Sequence, residues 1–185
     1  LRRYGVTVTF VDGLDLDQWA KAIVPGVKAV FFESVSNPTL EVIDIRAVSA
    51  LAHKVGATVI VDNVFATPVY SDALAQGADV VVYSATKHFD GQGRVLGGAV
   101  LGPKKWVEDT LQPFIRNTGP TMSPFNAWTL LKSIETMDLR VQRQCETSLA
   151  VARWLEDRPE ITQVRYPYLP SHPQFELAKA QQSAG

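Results

Sequence analysis

The stretch Asp79-Val80-Val81-Val82-Tyr83-Ser84-Ala85-Thr86-Lys87-His88 decides the fold. Val80 to Tyr83 is an apolar run of strand length without alternation, the pattern of a strand inside a parallel sheet. It stops at two hydroxyls, a lysine and a histidine. In open α/β sheets, ligands bind beyond the carboxyl ends of the strands, where such polar residues belong. The same pattern recurs on either side. Upstream, Thr58-Val59-Ile60-Val61-Asp62 reads as a strand ending in Asp62-Asn63, and Ala29-Val30-Phe31-Phe32 as one ending in Glu33-Ser34, before Ser36-Asn37-Pro38-Thr39. Val6 to Val11 reads as a strand near the start of the chain, and Gly98 to Leu101 as one downstream.

Helical periods fill the gaps between these strands. Leu16, Trp19, Ala20 and Ile23 predict a short amphipathic helix over 15–24, stopped by Pro25-Gly26. Asp44 reads as an N-cap, Ile45, Val48, Ala52 and Val55 as an apolar stripe, and Gly56 as the stop. Ser71 to Gln76 reads as a short helix closed by Gly77. After Pro103 the character changes. Ala127, Leu130, Leu131 and Ile134 mark one helix. Val141, Cys145, Leu149 and Ala152 mark a longer one ending near Arg158-Pro159. Ile161 to Tyr166 reads as a new strand and 174–182 as a last helix. Alternating strands and helices predict an α/β fold, a mostly parallel sheet sandwiched by helices.

Composition narrows the function classes. The 185 residues carry 18 basic and 19 acidic side chains and a net charge of −1, with no electrostatic footprint for a nucleic-acid partner. One cysteine excludes an internal disulfide framework and a multi-Cys zinc site, and suits a reducing compartment. His53, His88 and His172 are scattered, so no metal site is expected. No apolar run reaches membrane-spanning length. Cys145 lies on an apolar helical stripe, and Trp19, Trp128 and Trp154 are expected to pack rather than bind. The expectation is a soluble, cytoplasmic protein. The opening Leu1-Arg2-Arg3-Tyr4-Gly5 shows neither a signal nor a transit peptide and reads as the middle of a longer protein.

The polar strand ends carry the chemistry. Asp62 terminates an apolar strand, where a carboxylate needs a cation or several donors to stay ionised. Lys87 lies one strand further along. A lysine near a sheet can lose its proton and act as an amine nucleophile or base. Ser84 and Thr86, three and one residues earlier, offer hydroxyls, and the loop Asp90-Gly91-Gln92-Gly93-Arg94 follows. That set suits a phosphate held beside an activated amine. The bland readings are an Asp62 that caps a helix or forms a loop salt bridge, a solvated Lys87 and turn glycines at Gly91 and Gly93.

Ser84-Ala85-Thr86-Lys87-His88 resembles the lysine motif of the Cys/Met-metabolism family of pyridoxal-phosphate enzymes. Asn37-Pro38-Thr39 and Val61-Asp62-Asn63 match the family in the same order. The resemblance spans nearly the whole chain and implies the type I aminotransferase-like fold. Within the family, Asp62-Asn63-Val64-Phe65-Ala66-Thr67-Pro68 and the loop 89–98 resemble the O-succinylhomoserine sulfhydrylase branch. Val64 stands where γ-synthases and γ-lyases commonly have Thr.

The resemblance implies pyridoxal 5′-phosphate as cofactor and a role for each matched residue. Lys87 carries the cofactor as a Schiff base and then works as general acid and base. Asp62 pairs with the protonated ring nitrogen, Ser84 and Thr86 donate to the phosphate, and Asn37 bonds near the 3′-oxygen and the substrate carboxylate. The implied reaction is γ-replacement in methionine biosynthesis: succinate leaves an activated homoserine ester, sulfide adds, and homocysteine forms. The alternatives are a cystathionine γ-synthase, a γ-lyase or methionine γ-lyase, or an assembly-only relative without cofactor. The implied partners are an amino-acid substrate and sulfide, with neither nucleic acid nor membrane, in a homodimer or homotetramer. The expected division is 1–155, a large cofactor-binding domain lacking its first part, and 156–185, the start of a small domain. The fold is expected to be truncated at both ends and, alone, inactive.

Overall fold

A computed structural model describes residues 1–185, the side chain of Arg2 excepted. Its centre is a four-stranded sheet in the order β1 (Ala29–Glu33), β2 (Thr58–Asp62), β3 (Val80–Ser84) and β4 (Gly98–Leu101). The first three strands are parallel and β4 runs antiparallel to β3. The architecture is the expected α/β one with a mostly parallel sheet.

Helices α1 (Leu16–Ala22) and α2 (Ile45–Lys54) form where caps and stripes predict them. Asp15 accepts from the backbone of Asp17 and Gln18, and Asp44 accepts from Ala47 N–H at 2.9 Å. Gly56, at φ +72°, takes the left-handed conformation that ends α2. Both helices cover one sheet face. Trp19, Ile23, Ile45, Val48 and Ala52 pack there on Val30, Phe32, Val59, Val61 and Val81. Ile45, Val48, Val59 and Val61 are fully buried, and burying each contributes about 1.5–3 kcal/mol. The opposite face is open in this chain, with Phe31 61% exposed.

Downstream come α3 (Thr67–Tyr70), α4 (Lys104–Trp106), α5 (Gln112–Thr118), α6 (Pro124–Ile134), α7 (Met137–Glu156) and α8 (Phe175–Gln181). A wide turn of helix, Val107–Leu111, joins α4 to α5. This 104–118 segment lacks a clean apolar stripe, which is why the sequence pattern passes over it. The loop and α8 fold back on the sheet domain. Gln181 accepts from Ile45 N–H at 2.7 Å and donates to Ile43 C=O at 2.9 Å, and Leu169 and Ala178 are fully buried.

Three elements differ from expectation. Val6 to Val11 joins no sheet, with Phe10 92% exposed; strand propensity alone forms no ladder without a neighbour. Ile161 to Tyr166 is likewise irregular. The short helix comes at 67–70 rather than 71–76, because a buried side chain from β2's end holds the carbonyls of Thr67 and Ser71. Trp19 is buried, but Trp128 and Trp154 are mostly exposed.

Candidate active site

The pleat and the parallel register bring the polar strand ends together. Val30, Phe32, Val59, Val61, Val81 and Tyr83 point into the packed face. The alternation therefore puts Glu33, Asp62 and Ser84 on the open face. Glu33 is paired in register with Asp62, and Ser84 with Gly98. A cavity of about 460 Å³ opens there, and Asn37, Asp62, Ser84, Thr86 and Lys87 all line it. Glu33, Val64, Phe65, His88 and Gln144 complete most of its wall. Five residues spread over 51 sequence positions thus share one concave surface, from Asn37 to Lys87.

Asp62 is half-buried, and burial first, then the like charge of Glu33, pushes its pKa above the usual carboxylate value. Val64 N–H, donating at 3.0 Å, opposes this. No cation of the described residues contributes. Next to it, Asn63 is fully buried and ties the strand ends. Its amide reaches Thr67 C=O at 3.3 Å, Ser71 C=O at 3.0 Å and the Tyr83 hydroxyl at 3.0 Å, and it accepts from Ser34 Oγ at 2.8 Å. Burial raises the Tyr83 pKa and keeps that phenol protonated. Asn63 fixes where Asp62 stands; the motif includes it, but its bonding to four partners is a tertiary fact. Asn37 is held by its own backbone, whose N–H donates to Glu33 Oε2 at 2.7 Å.

Lys87 sits in a wide helical turn, Ala85–Phe89, directly after β3. At φ −85° and ψ −114°, its backbone interrupts that turn and leaves the side chain exposed on the cavity wall. The turn is moored on several sides. Ala85 N–H donates to Gly97 C=O at 2.9 Å, and Thr86 Oγ1 accepts from Gly97 N–H at 3.1 Å. Phe89 stacks on Tyr83 with centroids 5.2 Å apart. Burial lowers the His88 pKa, so its ring is neutral near pH 7; Gln144 partly offsets this and Arg140 adds to it. Asp90, 1% exposed, accepts from the backbone N–H of Arg94 and from Arg94 Nε at 3.0 Å. Burial alone would raise its pKa, but these donors outweigh it and hold the carboxyl below its usual value.

The other candidates lie elsewhere. Cys145 is half-buried on α7 with its pKa raised by burial, as fits a packing residue. His53 pairs with Asp79 at 3.0 Å, and His172 is buried in the proline-rich loop. Among the described residues no cluster of His, Cys, Asp and Glu could hold a metal ion, and no helix is long and apolar enough to cross a membrane.

The fold and its lysine-bearing turn define an α/β domain of the type I pyridoxal-phosphate enzymes. The model of the Cys/Met metabolism PLP-dependent enzyme family matches residues 1–185, and the chain belongs to that family. It is 54% identical to the O-succinylhomoserine sulfhydrylase of Mycobacterium tuberculosis, covering 100% of this chain and 46% of that protein. Against the Pseudomonas aeruginosa O-succinylhomoserine sulfhydrylase the identity is 48%, over 98% of this chain and 45% of that protein. An L-methionine gamma-lyase of Porphyromonas gingivalis is 40% identical over 98% of this chain and 46% of that one. Among solved structures, the cystathionine gamma-lyase of Lactobacillus plantarum, complexed with L-serine, superposes with a TM-score of 0.95 at 31% identity, covering 99% of this chain and 48% of that one. The chain thus spans about half the length of the relatives it matches.

Family membership implies pyridoxal 5′-phosphate as the cofactor. The residues present fit it by their chemistry. The cavity offers a primary amine, two hydroxyls, and a carboxylate that burial disfavours and no cation of the described residues compensates.

Proposed function

We propose that this chain is the cofactor-binding part of an O-succinylhomoserine sulfhydrylase, which exchanges succinate for sulfide at the γ-carbon to give homocysteine. The observation that carries the reading is the shared cavity of Asn37, Asp62, Ser84, Thr86 and Lys87. Within the family, identities of 54% and 48% to sulfhydrylases, against 40% to a γ-lyase, support this branch.

Bound pyridoxal phosphate supplies an electron sink for negative charge at the substrate α-carbon. Each residue then has a task. The Lys87 amine is the attachment point, and once released it moves a proton from the α-carbon, then one from the β-carbon, and returns them. Such positioned proton transfer contributes about 10²–10⁴-fold. The Asp62 carboxylate holds a proton on the ring nitrogen, and that cation offsets the burial that now raises its pKa. The Ser84 and Thr86 hydroxyls donate to the phosphate. The Asn37 amide orients the 3′-oxygen and the substrate carboxylate.

A division into a large domain over 1–155 and the start of a small domain over 156–185 belongs to the same reading, as does assembly of the full-length enzyme as a cytoplasmic homodimer or homotetramer. The test is product analysis. Full-length enzyme fed O-succinylhomoserine with sulfide, and separately with cysteine, should form homocysteine faster than cystathionine. Faster cystathionine formation would instead mark a γ-synthase, and 2-oxobutanoate without added thiol a γ-lyase.

A further inference from the structure

We infer that Arg140, 53 residues beyond Lys87 and outside the cavity wall, is a positioning residue for the lysine. The inference rests on the reading of Lys87 as the cofactor-bearing residue. Arg140 is the fourth residue of α7, at the end of its first turn. Its guanidinium donates from Nη1 to His88 C=O at 2.9 Å and from Nη2 to Phe89 C=O at 3.3 Å. The same Nη2 donates to Ser133 C=O at 3.0 Å, and Nε to Thr136 Oγ1 at 3.3 Å.

His88 and Phe89 end the turn that carries Lys87, and Ser133 lies in the last turn of α6. Carbonyls at the ends of helical segments lack intrahelical partners and carry partial negative charge. One guanidinium therefore caps two C-terminal ends and joins them. Among the described residues Arg140 forms no ion pair with a carboxylate, so its charge is directed at these carbonyls. A planar fork of donors suits this; a lysine ammonium cannot span the same acceptors.

Gly91 reports the same constraint. It sits at φ +73°, and a Cβ there would clash with Arg140 Nη1. The chain leaves that space empty and the guanidinium fills it. A second arginine continues the join: Arg94 binds Asp90 just past the turn and donates to Ser133 Oγ at 2.6 Å. The α6–α7 corner thus holds both the turn and the residues after it. The direction of the Lys87 side chain is set by backbone that Arg140 grips one and two residues later. A misplacement of about 1 Å at a reacting group costs on the order of 10²-fold.

The experiment uses full-length enzyme as wild type, R140A, R140K and K87A. Three readouts are followed: borohydride fixation of pyridoxal 5′-phosphate on the peptide carrying residue 87, the pH profile of the bound cofactor's absorbance, and amide hydrogen exchange. For R140A, fixation should slow by about 10- to 100-fold. The pH midpoint of the absorbance should move, and exchange should quicken at 88–91 while β1 and β2 stay protected. R140K should recover only a minor part. Should R140A fail to fold, R140K decides on the same readouts. Wild-type fixation and pH profile in the arginine variants would overturn the inference. So would exchange quickened evenly through β1, β2 and α2, the mark of general destabilisation. If K87A still fixed the cofactor at this site, the reading of Lys87 would fall, and the inference with it.

Discussion

Two aspartates, one at the end of β2 and one beyond the turn after β3, are treated in opposite ways. Asp90, just past the turn that follows β3, lies buried beneath a backbone N–H and a guanidinium of its own chain, and its pKa falls. Asp62, at the end of β2, faces the cavity with one backbone donor and the like charge of Glu33, and its pKa rises. Burial pushes both upward; the donors and the neighbouring charges decide the difference. Asp90 is satisfied by donors of its own chain, whereas no cation of the described residues contributes at Asp62. In the proposed function, the protonated ring nitrogen of the cofactor supplies one.

The contrast can be broken at four points. The largest effect belongs to the Lys87 amine, which lines the same cavity as Asp62. K87A should abolish covalent fixation of the cofactor and lower turnover by about 10²–10⁴-fold or more, read by mass spectrometry after borohydride and by product assay. D62N keeps the shape of the cavity but removes the counter-charge. Its kcat should drop by about 10²-fold, the scale of losing one preorganised electrostatic group, with little change in the thermal midpoint of the cofactor-free protein.

D90N should do the reverse, lowering the thermal midpoint with or without cofactor. Calorimetry against pH separates the two carboxylates by sign. Asp62 is raised in the folded state, so its stabilising contribution is complete below the ordinary value of 3.8 and is lost as pH rises through its folded value. Asp90 is lowered, so its contribution is present above 3.8 and is lost as pH falls through its folded value. Acidifying the cofactor-free protein should therefore give a gain that D62N removes, followed by a loss that D90N removes. The smallest effect is E33Q. It deletes the like charge beside Asp62 and should lower the Asp62 pKa slightly, read as a small acid shift of the D62N-sensitive part of that curve.

Much of this arrangement is written locally. Strands β1 to β3 are runs of Val, Ile and Phe, and α2 carries its own cap, stripe and stop. These signals act within a few residues, so they survive without knowledge of the rest. Asn37, Asp62, Ser84, Thr86 and Lys87 stand out for the same reason, as polar residues placed where apolar strands stop. Val6 to Val11 and Ile161 to Tyr166 have the right residues for strands and no neighbour to pair with. Arg140 carries no local sign of its role, since the two acceptors in the Lys87 turn lie about 50 positions away.

By itself, then, the amino-acid sequence determined the α/β class, most of the element boundaries near the sheet, and the residue types offered at its polar edge, because periodicity, capping and turn chemistry are short-range. Only the tertiary structure decided which of these residues share a cavity, why Asp62 and Asp90 titrate in opposite directions, and what holds the Lys87 turn in place. Burial and long-range hydrogen bonding are properties of the packed chain, and no window of sequence contains them.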